Sequence, residues 1–110
     1  MKYFCTEKER KGTCYHEFQR GRWDGKTFWK EDSLLLDDDI LWQLGFEKLL
    51  KETLPHYDAY AETEVSRKQW NAIMQRAREL GGELQEAVEE ADTWIRAELG
   101  EEECFTILGL

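Results

Sequence analysis

Proline, cysteine and long apolar runs are scarce in this chain of 110 residues, and each scarcity excludes a class of protein. Pro55 is the one proline, and no tract rich in proline, glycine or serine interrupts the sequence. A single domain over residues 1–110 is therefore predicted. No apolar stretch approaches the roughly 18 consecutive residues of a membrane helix, and the first residues lack the apolar segment of a secretory signal. We expect a cytoplasmic protein that does not act at a membrane.

The three cysteines, Cys5, Cys14 and Cys104, are an odd number, which argues against a disulfide framework and for reduced thiols. A zinc site would have to combine Cys5, Cys14 and His16 with a distant fourth ligand. The sequence has no C-x-x-C or H-x-x-x-H spacing that would pre-form half of a tetrahedral site. We therefore expect no metal and no cofactor.

Motifs that carry catalysis are also missing, since there is no nucleophile elbow and no glycine-rich phosphate loop. Ser33 and Ser66 lie at predicted helix starts and are interpreted as caps. Cys14 and His16 are two residues apart on a predicted strand and would face the same side, but such a pair alone rarely catalyses. The triplet Asp37 to Asp39 would fan out around a helix rather than converge on Mg²⁺. No catalytic residue is assigned, and an enzyme is not expected.

The charge of the chain is unevenly distributed. The net charge is −9, but residues 1–30 carry +4 and residues 31–110 carry −13. An acidic surface repels phosphate, so direct binding of nucleic acid is not expected, except through the N-terminal segment. A basic protein partner suits the acidic part of the chain. The alternative is that these carboxylates only keep the protein soluble.

Alternating and aromatic segments predict strands over residues 2–5, 13–19, 57–65 and 104–108. The pair Asp24-Gly25 lies between the aromatic segments 15–23 and 26–29 and predicts a type I′ turn, hence an N-terminal hairpin. The last strand, over residues 104–108, is mostly apolar, so it is expected to be buried between or beside the others.

Helical periodicity predicts three helices. The first carries an apolar stripe of Trp42, Phe46, Leu49 and Leu50, with Asp37 to Asp39 at its positive N-terminus and Pro55 after its end. The second begins at the capping box Ser66-x-x-Gln69 and ends at Gly81-Gly82, and the third spans about Glu83 to Leu99 and ends at Gly100.

The expected fold class is α+β, with a mostly antiparallel sheet of about four to five strands and three helices packed on it. The predicted core comprises Trp70, Ile73, Met74, Ala77, Val88, Ala91, Ile95, Phe105 and Ile107.

The five tryptophans divide between helices and the predicted hairpin. Trp42, Trp70 and Trp94 lie in predicted helices, where core packing is expected. Trp23 and Trp29 flank the hairpin, and they either anchor an interface or stack on each other across the strands.

Several segments of this chain resemble small immunity proteins of bacterial polymorphic-toxin and contact-dependent growth inhibition systems. They are Tyr57-Asp58-Ala59-Tyr60 leading into Glu62-Thr63-Glu64-Val65, the helix with Trp70, and the C-terminal residues 103–109. The resemblance covers about the last two thirds of the chain. It implies a protein that binds one cognate toxin domain, often a nuclease, and blocks its active site or substrate entry.

The expected interface joins carboxylates with nearby aromatic rings, and we place it on two acidic segments. The partner would be a cognate toxin, such as a basic nuclease domain. The alternative functions are another acidic protein-interaction module or a phage-encoded inhibitor, and a small enzyme is the least favoured. The oligomeric state is left open. The predicted partner-binding residues are Asp37, Asp38, Asp39, Tyr57, Asp58, Tyr60, Glu62, Glu64 and Trp23.

Overall fold

The fold is a five-stranded antiparallel sheet with helices packed on one face. A computed structural model describes residues 1–98 and 104–110. The strands follow the spatial order β1-β3-β2-β5-β4 and comprise β1 (Phe4–Cys5), β2 (Tyr15–Arg20), β3 (Leu34–Asp37), β4 (Glu62–Ser66) and β5 (Cys104–Leu108). The helices in the described ranges are α1 (Asp38–Gln43), α2 (Phe46–Thr53), α3 (Arg67–Leu80) and α4 (Gly82–Glu98), with a short 3-10 turn at Glu7–Glu9. The predicted α+β class is confirmed.

The helix-covered face of the sheet holds the core. Phe105 of β5 stacks on Phe18 with ring centroids 5.7 Å apart, and Trp70 of α3 meets Phe105 edge-on at 5.5 Å. All nine residues predicted for the core are buried. Burying each large apolar side chain contributes about 1.5–3 kcal/mol, so this face supplies much of the stability. None of the described helices combines the length and apolar character needed to cross a membrane.

The predicted N-terminal hairpin is wrong. β2 pairs with β3 on one side and β5 on the other, and residues 26–29 form no strand. The Asp24 carboxylate accepts hydrogen bonds from the backbone of Lys26 and Thr27 and from the Thr27 hydroxyl, which closes a local turn instead. Residues 21–33 then form a loop over the second face of the sheet, and Leu34 to Leu36 provide the strand that pairs with β2.

The single helix predicted between Asp37 and Pro55 is two helices. α1 ends at Gln43 with Leu44 as its C-cap, and Gly45 takes a left-handed conformation with φ of +77° before α2 begins. The expected placement of the acidic triplet is confirmed, because the Asp37 side chain accepts from the backbone N–H groups of Asp39 and Ile40 at the start of α1.

The strand predicted over residues 57–65 is shorter than expected. β4 begins at Glu62, because the Asp58 side chain accepts from Tyr60 N at 2.8 Å and its carbonyl accepts from Ala61 N at 3.2 Å, which turns the chain. The capping box of Ser66 and Gln69 is confirmed. The expectation that the last strand lies between or beside the others is also confirmed, since β5 lies between β2 and β4. The predicted helix end at Leu99 and Gly100 lies outside the described residues.

Candidate functional site

The fold brings the two predicted acidic segments to the same end of the sheet. β3 ends at Asp37, opposite the first residue of β2, and β4 begins at Glu62, opposite the last residue of β5. These strands are three strand spacings apart, or about 14 Å. We call the set Asp37, Asp38, Asp39, Asp58 and Glu62 the acidic end.

Within the triplet, two of the three carboxylates have structural partners. Asp37 caps α1, and Asp38 Oδ1 accepts from Trp42 Nε1 at 3.1 Å and lies 2.8 Å from His16 Nε2. The Asp39 side chain is exposed, and its carboxylate accepts no hydrogen bond within the described residues. Asp39 is therefore the member of the triplet most free to meet a partner.

His16 is a buried histidine with one nitrogen paired. Its side chain is fully buried, and Nδ1 has no hydrogen-bond partner in the described part of the chain. Cys14 lies just before β2 and is exposed, whereas His16 is buried, so the two side chains have different environments. Among residues 1–98 and 104–110 no group of three histidine, cysteine or acidic side chains could hold a metal ion, and Cys5, Cys14 and Cys104 are free thiols.

Tyr57 belongs to the core and not to the surface. Its side chain is only 5% exposed, so the interpretation of Tyr57 as an interface anchor is wrong. Burial raises the pKa of the Tyr57 phenol, and the nearby charges of Glu47, Asp38 and Asp58 raise that pKa further. Tyr57 thus lies near one carboxylate of each acidic segment, Asp38 and Asp58.

Two exposed aromatic side chains, Tyr60 and Trp42, lie beside residues of the acidic end. Tyr60 is 70% exposed and lies between Asp58 and Glu62. Trp42, expected in the core, is 48% exposed beside Asp38. Trp42 was expected in the core because it falls on one apolar stripe with Phe46 if the helix is continuous. Gly45 between them was the sequence signal that the helix breaks.

Trp23 lies in the loop over residues 21–33, beside Phe28, which lines a cleft together with Tyr15 and Leu108. Its indole N–H donates to Thr27 O at 2.7 Å, and its ring packs against Phe28 with centroids 5.3 Å apart. The Trp29 ring instead receives the guanidinium of Arg10 at 4.2 Å. Trp23 and Trp29 therefore have separate partners and do not form the cross-strand pair that was one of the two alternatives.

Glu17 is the buried carboxylate that sequence reasoning missed. It accepts from Trp29 N at 2.8 Å, Lys30 N at 2.9 Å and Ser33 Oγ at 2.6 Å. Ser33 is therefore not a helix cap, and its hydroxyl helps to fix the loop over residues 21–33. The alternation of side chains along β2 puts Glu17 and Phe18 on different faces of the sheet. It gives no sign that a loop covers the face of Glu17.

Glu64 is exposed and lies one step further along β4 from Glu62. Arg22 of the loop approaches it at 3.8 Å, with both side chains largely in solvent. Such an exposed pair is worth about 0–1 kcal/mol, so it leaves Glu64 available to another cation.

The acidic end can therefore attract and hold a basic surface: it presents the exposed carboxylates of Asp39, Asp58 and Glu62 beside two exposed rings. The carboxylates attract a positively charged partner, and the rings provide contact area once it is bound. Neither task needs a reacting group. Comparison of this chain with family models, curated proteins and solved structures finds no match.

Proposed function

We propose that this chain is a non-catalytic, cytoplasmic binding protein that neutralises a basic protein partner at its acidic end, as a toxin-neutralising immunity protein does. One observation carries the proposal: acidic segments some 20 residues apart in sequence meet at one end of the sheet, about 14 Å apart, beside exposed Tyr60 and Trp42. The resemblance to immunity proteins of polymorphic-toxin systems supports the same role.

The charges and the rings have different tasks in this proposal. Residues 31–110 carry a net charge of −13, which attracts a basic nuclease domain over distances comparable with the Debye length. Carboxylates at the acidic end raise the rate of encounter and favour the correct orientation. Tyr60 and Trp42 supply the apolar area that is desolvated on contact and slows dissociation.

The partner to test is the product of the adjacent reading frame, because toxin and immunity genes are expected to be neighbours. Co-expression with this chain should restore the growth of cells that produce the toxin. If growth is not restored and the two proteins do not bind, the immunity proposal fails, and a partner from a phage gene neighbourhood would favour the inhibitor alternative.

Binding kinetics test the site itself. The double variant Asp39→Asn, Asp58→Asn keeps the side-chain oxygen that holds Tyr60 N and should lower the association rate about threefold or more at low salt, with a flatter salt dependence. The matched control, Glu83→Gln with Glu89→Gln, changes the same charge on α4 and should leave the association rate nearly unchanged. Tyr60→Ala should mainly raise the dissociation rate. Equal rates for all variants would remove the acidic end as the interface.

A further inference from the structure

We propose that the free edge of β4 is a docking site for an extended segment of the partner with basic side chains at alternate positions. The proposal rests on the proposed function, since it supplies the mode by which a basic partner is held. Among the strands of residues 1–98 and 104–110, β4 is the last of the sheet and pairs with β5 alone. An edge strand presents unpaired backbone groups that another extended chain can use.

The register shows which backbone groups of β4 point outward. Gly109 N donates to Ala61 O at 2.9 Å, directly opposite in the β4–β5 register. In an antiparallel pair the bonded residues alternate, so Thr63 and Val65 bond to β5. The N–H and C=O groups of Glu62 and Glu64 therefore face away from the sheet, where a further strand would lie.

A cleft of about 240 Å³ runs beside this edge. Leu54, Pro55 and His56 form one wall, and β4 with Gln69 forms the other. Thr63 lines the cleft and is 9% exposed, and its hydroxyl oxygen has no hydrogen-bond partner in the described part of the chain. Because Thr63 Oγ1 is itself out of contact with solvent, the polar groups that this edge offers a peptide are the outward N–H and C=O groups of Glu62 and Glu64.

The charge of the cleft selects the kind of peptide. In the part of the chain that the structure describes, its lining includes the carboxylates of Glu62 and Glu64 and no lysine or arginine. These two side chains project from the same face because they are two residues apart on a strand. Lysine or arginine at every second position of an incoming strand would lie opposite them, whereas acidic strands and a second copy of β4 would place like charges together.

The probe is a capped octapeptide of alternating lysine and threonine. Its matched control has the same side chains but carries N-methyl groups on alternate backbone nitrogens, so it keeps the charge and loses the ability to pair. We expect the first peptide to slow hydrogen exchange at the amides of Glu62 and Glu64 about tenfold or more, and the methylated peptide to bind about tenfold more weakly.

Two variants of β4 check that the backbone is responsible. Glu64→Pro removes an outward N–H without removing a bond to β5 and should abolish the protection at Glu62. Glu62→Lys with Glu64→Lys keeps the backbone and reverses the charge, so it should bind an alternating glutamate and threonine peptide instead. The charge-reversed variant keeps the proposal testable if the proline variant does not fold.

Three results would overturn the inference. The first is equal binding of the methylated and unmethylated peptides. The second is slowed hydrogen exchange at the amides of Asp39 and Asp58 and not at β4. The third is protection of β4 that grows with protein concentration in the absence of peptide, which would assign the edge to a second copy. The second result, protection at Asp39 and Asp58 alone, would leave the proposed function intact. Conversely, loss of the kinetic effect of Asp39→Asn with Asp58→Asn would overturn the proposed function whatever the peptide does at β4.

Discussion

At the residue scale, two glutamates in one row of the sheet have opposite environments. Glu17 of β2 and Glu62 of β4 both lie opposite Leu108, one on each side of β5. Glu17 is 2% exposed and accepts three hydrogen bonds from the loop over residues 21–33, whereas Glu62 is exposed. The difference arises from the loop and not from the strands, so strand periodicity cannot reveal it.

Glu17→Gln should destabilise the protein by about 2–4 kcal/mol, because the new amide can no longer accept from all three donors and carries an N–H₂ group toward them. Glu62→Gln is the matched control in the same row and should change the free energy of unfolding by less than about 0.5 kcal/mol. Urea denaturation measures both. Equal effects would show that the carboxylate of Glu17 does not hold the loop.

Individual side chains were predictable where a local period decides burial. Ile73, Met74 and Ala77 follow the helical period of α3, and all three are buried as predicted. Tyr57 was misplaced because the strand alternation was extended through the turn at Asp58, and Trp42 because the helical stripe was extended through Gly45. The acidic residues of the candidate site could be named from the sequence. Of the three aromatic residues predicted to bind the partner, Tyr57, Tyr60 and Trp23, it is Tyr60 that lies exposed beside those carboxylates.

At the element scale, local signals identified α3 and failed at the N-terminal hairpin. The capping box at Ser66 needs only residues 66–69, and the helix starts where it indicates. The Asp24-Gly25 turn needed a partner strand, and Leu34 to Leu36 pair with β2 in its place because all three leucines are buried there. Competition between possible strand partners is non-local, so one segment cannot decide it.

The break between α1 and α2 depends on the positive φ of Gly45, which gives a test of this element boundary. A Cβ at position 45 would meet no atom within 4 Å, so any penalty is conformational. Gly45→Ala should destabilise by about 1–2 kcal/mol, and Gly45→Asn by less, because asparagine tolerates the left-handed region. Thermal unfolding of both variants measures this. Equal stability of the alanine variant and the parent chain would contradict the positive φ.

At the scale of the whole molecule, strand order decides where charge gathers. Asp37 and Glu62 come together because β2 and β5 lie between their strands in antiparallel pairs, which sets both at the same end of the sheet. The sequence showed two acidic segments and a net charge of −9, but their convergence needs the pairing of β5 with both halves of the chain. Long-range pairing of this kind has no local signature.

The position of β5 predicts that the fold depends on its last residues. β5 joins β2 to β4, and Phe105 within it packs against Phe18 and Trp70. Deleting residues 104–110 removes two strand pairings together with several large buried side chains, each worth about 1.5–3 kcal/mol, against a total stability of about 5–15 kcal/mol. The shortened chain should therefore lose its cooperative thermal transition, which circular dichroism measures. Deleting Leu110 alone, whose side chain is exposed, should cost less than about 1 kcal/mol. A shortened chain that melted like the parent would mean that β4 remains attached to the sheet without β5, and the acidic end could then not depend on this strand order.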